Sequence, residues 1–389
     1  MNHPKWILPI IVISQFFCTS LWFAGNAIID DLTVIFNLPD SVLGHLTSAV
    51  QLGFISGTLI FAFLTIVDRF SPSLVFFISA ILASAFNFGL IYEHNTLTSL
   101  LSFRFLTGFF LAGIYPVGMK IASDYYEKGL GKSLGFLVGA LVIGTAFPHF
   151  LNGFSIALSW STILISTSII AIIGGLLILL FVKDGPYRKK SMKLDMTGFL
   201  HVFKINKFRA AAFGYFGHMW ELYAFWTFIP LILITYQKLH PTTIFNIPLW
   251  SFIIIGCGGL SSVLGGYLSA KFGLKRVASM ALFLSCVCCI ISPLLFYTNS
   301  YLFLGFLIFW GHVVVADSPL FSTLVAKNAP PDHRGTALTI VNCIGFAITI
   351  ISIQLITLLL NNVSGTYLFM LLAIGPILAL LQLRDKKEN

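Results

Sequence analysis

Charge is what this sequence of 389 residues has least of. Asp, Glu, Lys and Arg make up 10% of it, against about 25% in a soluble domain. A water-soluble fold of this length would have too little surface to show the solvent, so the soluble classes are excluded. Stretches of about ten residues with alternating hydrophobicity, which a membrane β-barrel needs, are missing. There is no Gly-x4-Gly-Lys-Ser/Thr phosphate loop, so the chain is not expected to power itself with ATP. The six cysteines (Cys18, Cys257, Cys286, Cys288, Cys289 and Cys343) all fall inside apolar runs. None has a spacing to nearby His that suggests zinc, and no loop pair suggests a disulfide framework. No long polar region stands ready as a soluble output domain; the longest polar stretch is 183–208.

What is present is apolar. Hydrophobic residues are 57% of the chain, 39 of them Phe, and the mean hydropathy is +0.93. The apolar runs last about 20 residues, the length at which a helix crosses ~30 Å of hydrocarbon. The hydrophobic runs predict an all-α membrane protein with twelve transmembrane helices, at roughly 6–28, 43–65, 74–92, 98–121, 131–153, 160–182, 209–236, 248–270, 277–297, 300–326, 335–360 and 364–383. The net charge of +9 comes from Lys and Arg in short loops. It reads as topology signal and lipid head-group contact, not as a nucleic-acid surface. With the N-terminus inside, the inner loops carry Arg69, Lys128, Lys132, the run from Lys183 to Arg209, Lys271, Lys275, Arg276, Lys327 and Arg334. Of the 23 basic residues, Lys238 alone is left outside and Arg104 alone lies well within a span. Both termini are therefore expected in the cytoplasm.

The segment 183–208 separates six spans from six. An N-terminal bundle over 1–182, a cytoplasmic linker over 183–208 and a C-terminal bundle over 209–389 are expected. Landmarks recur roughly 203 residues apart: Asp68-Arg69 with Ala270-Lys271, Gly108 and Pro116 with Gly311 and Pro319, Gly131 with Gly335. A shared offset at shared helix positions points to duplication, and two six-helix repeats about an axis along the membrane normal are a transporter architecture.

These features carry a resemblance over essentially the whole chain to the major facilitator superfamily (MFS) of carriers. Its loop signature, Gly-x-x-x-Asp-Arg/Lys-x-Gly-x-Arg/Lys-Arg/Lys, is half kept in each repeat. The first copy has Asp68 and Arg69 but Leu64, Ser71 and Pro72. The second has Gly266, Lys271, Gly273, Lys275 and Arg276 but Ala270. Arg104 to Gly108 resembles the family's Arg-x-x-x-Gly motif in helix 4. Gly135-x8-Gly144 resembles the glycine motif of antiporters but continues into Pro148-His149. The segments SLWFAGN (20–26), IYPVGMK (114–120) and WELYAFW (220–226) resemble a bacterial subgroup labelled cyanate- or nitrate-type. The resemblance implies the MFS fold, a cavity lined by helices 1, 4, 7 and 10, and a cytoplasmic gate at Asp68, Arg69, Lys271 and Arg276.

A charge at the bilayer centre costs about 2.5–3.5 kcal/mol, so intramembrane ions are the first site candidates. Arg104, Glu221 and Asp317 are three, on helices 4, 7 and 10. Arg104 reads either as a pin satisfied by carbonyls or as a group that binds an anion or couples a proton. Glu221 has no basic residue on its own helix face except His218, one turn away. Asp317 directly precedes Ser318-Pro319, so bracing a kinked backbone competes with a transport role. Trp22 and Asn26 share a stripe of helix 1 with Gln15 and Thr19. Tyr115 shares one with Arg104, and Asn342 lies on helix 11 in line with Phe346. These eight residues are the expected substrate or coupling contacts.

The expected function is secondary active transport of a small organic or inorganic solute by alternating access, coupled to protons. The alternatives are a multidrug or metabolite efflux antiporter, a non-coupled facilitator, or a membrane enzyme. The last would need a nucleophile–base pair or metal cluster at depth, and none is legible. No cofactor and no metal are implied. The partners expected are the solute, protons and membrane lipids, with no nucleic acid. The chain is expected to work as a monomer in the bacterial inner membrane.

Overall fold

The structure is a computed structural model that describes residues 4, 6–39, 41–126, 130–154, 158–188 and 201–383, and among these every regular element is a helix. Lys5, Asp40, Lys128, Arg384, Lys386, Lys387 and the linker stretch 189–200 lie outside the described residues. In chain order the longer helices are α1 (Ile7–Thr19), α2 (Val42–Phe63), α3 (Pro72–Ile91), α4 (Leu97–Tyr125), α5 (Leu130–Phe154), α6 (Trp160–Phe181), α7 (Asn206–Leu239), α8 (Ile247–Phe272), α9 (Leu274–Leu295), α10 (Ser300–Asn328), α11 (Arg334–Leu359) and α12 (Gly365–Leu383). Among the described residues eleven helices are long and apolar enough to cross a membrane; α1 is the shorter one.

The sequence sets many of the helix starts. Thr96 and Ser99 form a capping box at the head of α4, each side chain answering a backbone N–H that the first turn leaves unpaired. Asn246 and Asn299 cap α8 and α10 in the same sense, accepting from Leu249 N at 3.1 Å and Leu302 N at 3.0 Å. Pro72 opens α3 at a position where its missing N–H costs nothing.

The first span is not the continuous helix that its apolar run predicts. It ends at Thr19, turns through Ser20–Phe23, and resumes as one turn over Ala24–Ala27. No proline forces this break, which lies at the carbonyls that Arg104 engages. Three further helices are interrupted. α4 divides into Leu97–Leu111 and Tyr115–Tyr125, with Pro116 in the first turn of the second part. α10 divides at Asp317, with Pro319 in the corresponding place. The repeat landmark Pro116/Pro319 thus marks a break in both fourth helices, because proline can open a helix but not continue one. α8 is interrupted at Cys257.

Contacts divide the chain into two units. One comprises 1–191 with 246–259; the other comprises 192–245 with 260–389. In the first unit, α1 packs on α5 and α6, α2 on α4, and α3 on α6. In the second, α7 packs on α10, α11 and α12, and α9 on α10 and α12. Lipid is as apolar as a side chain, so helices gain from contact only by approaching closely. The α2–α4 pair is built for that. A Cβ on Gly53 would overlap the Phe105 carbonyl, and one on Gly108 would overlap the Val50 carbonyl. Gly273 serves a different need: at φ 89° it makes the sharp turn between α8 and α9.

Candidate functional site

In the first unit the site is organised by Arg104, wholly buried in the first part of α4. Its Nη1 donates to the Leu21 carbonyl at 3.0 Å and to Asn87 Oδ1 at 3.3 Å. Its Nη2 donates to the Trp22 carbonyl. Both carbonyls belong to the turn that breaks the first span, where the helix no longer supplies an N–H. Inside a membrane such groups must find a protein donor, and the guanidinium provides it. Asn87 of α3 relays the contact to α6, donating to Ser168 Oγ at 3.0 Å and Thr167 Oγ1 at 3.3 Å. Trp22 packs against Phe54, with ring centroids 4.9 Å apart. Asn26 Nδ2 donates to Thr47 Oγ1 at 2.8 Å. Tyr115 stands at the head of the second part of α4, half-buried at the break. Of the two readings open for Arg104, the structure displays the contacts of a pin.

In the second unit the acids have separate partners. Glu221 of α7 is buried, and its Oε1 accepts from Ser285 Oγ, from Trp310 Nε1 at 2.6 Å and from Cys289 Sγ at 3.3 Å. All three donors are neutral. Ser285 and Cys289 sit one turn apart on α9, so they reach the same oxygen. The Trp310 ring packs against Phe225, with centroids 4.5 Å apart and planes tilted by 35°. Cys289 thus meets an acid brought up by another helix.

His218 turns to Asp317 and not to Glu221, with Nδ1 2.8 Å from Oδ1. Both residues are buried. His218 and Glu221 share a helix face, but α10 brings its carboxylate to the imidazole where that helix is broken. His218 Nε2 has no hydrogen-bond partner among the described residues. The Tyr215 ring lies 6.2 Å from the imidazole, and its hydroxyl donates to Asn342 Oδ1 at 2.7 Å. Asn342, Tyr215, His218 and Asp317 therefore form a polar file across α11, α7 and α10. His312 bonds across to α8, with Nδ1 2.6 Å from Ser261 Oγ.

Within each unit the expected gate residues make local contacts. Arg69 Nε donates to Thr65 Oγ1 at 3.1 Å. Lys271 stands over the Phe272 ring at 5.3 Å, and Arg276 is exposed. The loop containing Asp68 is instead tied by a residue that the motif did not flag. Arg188, just after α6, donates to the carbonyls of Val67, Asp68 and Phe70 and pairs with Asp184, which accepts from Ser71 Oγ at 2.6 Å. Where the first copy of the signature has lost its glycine and basic residues, these ties hold the loop in place.

Asn87, Gln51, Ser285, Cys289 and Arg188 escaped the sequence reading. Asn87 and Gln51 were legible as lone amides in mid-span. Ser285 and Cys289 were legible only as a pair at helical spacing.

A bundle of apolar helices, broken at buried polar residues and arranged in two units, defines a multi-pass membrane transporter. The family model of the Major Facilitator Superfamily matches residues 11–352 and again 211–388. The chain belongs to that superfamily. Its fold is similar to the proton:xylose symporter XylE bound to 6-bromo-6-deoxy-D-glucose, at 14% identity and a TM-score of 0.73, over 96% of this chain and 94% of that one. It is also similar to a bacterial homolog of the human lysosomal transporter Spinster, inward-facing and unoccupied, at 15% identity and a TM-score of 0.68, over 98% and 95% of the two chains. No curated protein matches.

Proposed function

We propose that this chain is a proton-coupled secondary carrier of a small solute. It works by alternating access in the bacterial inner membrane with both termini cytoplasmic, and its two six-helix halves, 1–182 and 209–389, are the moving repeats. Glu221 carries the reading. A buried carboxyl group whose donors are a hydroxyl, an indole and a thiol has, among the described residues, no cation bonded to it to hold its charge. At that depth, charge needs a proton, a cation or water. A group in that position can gain or lose a proton as its surroundings open. Asp317, with His218 beside it, is the second acid. Placement of Lys and Arg in the inner loops supports the orientation.

The test uses the full chain in proteoliposomes loaded with a pH-sensitive dye. Erythritol, xylitol, D-glucose, urea, acetamide, nitrate, cyanate and formate are added outside one at a time. With wild type, at least one probe moves protons, and an imposed pH gradient drives its accumulation. Glu221→Gln mimics the protonated form and should abolish the proton signal while exchange of that labelled probe across the membrane persists. If wild type moves a probe at the same rate with and without the gradient, or if Glu221→Gln responds like wild type, the coupling role is lost.

A further inference from the structure

The first unit buries more hydrogen-bonding capacity than it satisfies. Gln15 on α1 and Gln51 on α2 are both fully buried, and neither carboxamide has a hydrogen-bond partner for its oxygen or its nitrogen among the described residues. The same holds for Asn26 Oδ1, Thr145 Oγ1 and His149 Nε2. Each orphan costs about 1–3 kcal/mol, and buried polar groups in folded proteins nearly always have partners. Two glutamines with four open amide atoms are not an arrangement that stability favours.

These groups gather along one element. Gln15 Oε1 lies against Gly118 of α4, where any Cβ would overlap it. Gln51 sits on α2 between Thr47, which Asn26 engages, and Phe54, which packs on Trp22. On α5, Gly144 is seated against Thr19 and the Phe16 carbonyl, and Asn152 Nδ2 donates to the Ala27 carbonyl at 2.5 Å. Thr145 and His149 lie between those two contacts and one turn apart. The open groups therefore line the first span from Gln15 to Asn26, around its broken turn.

Their chemistry restricts what they can bind. Carboxamides, a hydroxyl and an imidazole present both donors and acceptors, and none of these five residues is acidic. Arg104, which lies against Gly25 next to Asn26, has its two terminal nitrogens engaged by Leu21, Trp22 and Asn87. Its Nε has no hydrogen-bond partner among the described residues. An anion is best held by the two-pronged guanidinium face, and that face is spent on backbone. We propose that the first unit holds the solute-recognition site of this carrier, built on Gln15, Gln51, Asn26, Thr145 and His149. Its ligand is an uncharged small molecule with several hydroxyl or amide groups, not an inorganic or carboxylate anion. This rests on the reading of the chain as a carrier, but concerns binding and not coupling.

The test is thermal melting of the purified full chain, without any gradient, so that a failure of proton coupling leaves it untouched. A ligand of the folded state raises the melting temperature with concentration. Erythritol, xylitol, D-glucose, urea and acetamide are set against sodium nitrate, cyanate and formate, with sodium chloride matching ionic strength. At least one neutral probe should stabilise wild type saturably, and Gln51→Leu should weaken it tenfold or more. Without any probe, Gln15→Leu and Gln51→Leu should each melt above wild type, since an apolar group replaces an unsatisfied one. Glutamines with a structural role would give variants that melt lower or do not fold, and that outcome overturns the proposal. So does saturable stabilisation by nitrate, cyanate or formate, or the failure of every neutral probe.

Discussion

Arg104→Leu should be one of the two most damaging single substitutions in the chain. It removes the donors to the Leu21 and Trp22 carbonyls and to Asn87 Oδ1 at once. A buried acceptor left unpaired costs about 1–3 kcal/mol, and here there are three. Their number puts the loss at roughly 3 kcal/mol or more, even if one amide finds another donor. Arg104→Lys should fall between the two. An ammonium can reach one carbonyl but cannot span three acceptors with a fixed planar fork. The measurement is the melting temperature and monodisperse yield of each purified variant, with the expected order Arg, Lys, Leu. A leucine variant that melts like wild type yet fails in transport would move Arg104 from the frame of the first unit to its solute or its coupling acid.

That ordering depends on a contact that the sequence could not reveal. The apolar run through Ser20-Leu21-Trp22-Phe23 contains no helix breaker, so its hydrophobicity reads as uninterrupted helix. The turn there follows from a residue 83 positions away in the chain, and tertiary context overrides local preference. The breaks in α4 and α10 were different, because Pro116 and Pro319 announced them. Intramembrane charge was likewise legible: Arg104, Glu221 and Asp317 stood out by their cost alone. Their partners were not, because helical spacing places His218 and Glu221 on one face and says nothing of what a neighbouring helix brings up to it. Hence His218 pairs with Asp317. Glu221 finds a serine and a cysteine on α9, which composition marks only as small packing residues.

His218→Leu is the other substitution expected to be severe. The imidazole lies 2.8 Å from Asp317 with both side chains 1% exposed. Neither Asp317 oxygen has another hydrogen-bond partner among the described residues. Removing one member of a buried polar pair leaves the other unpaired, at a cost of about 1–3 kcal/mol, whereas replacing both with apolar groups is often nearly neutral. His218→Leu should therefore lower the melting temperature sharply, and Asp317→Leu should do so to a similar degree. The double variant should melt well above the sum of the two losses. The comparison is a double-mutant cycle on purified protein. If the two losses simply add, the residues do not stabilise each other, and Asp317 serves only the backbone break it occupies. If they couple as expected, the double variant is folded and lacks the second acid. Its proton response in loaded vesicles then separates Asp317 from Glu221: a weakened response assigns part of the coupling to the pair, and an unchanged one leaves the coupling with Glu221 alone.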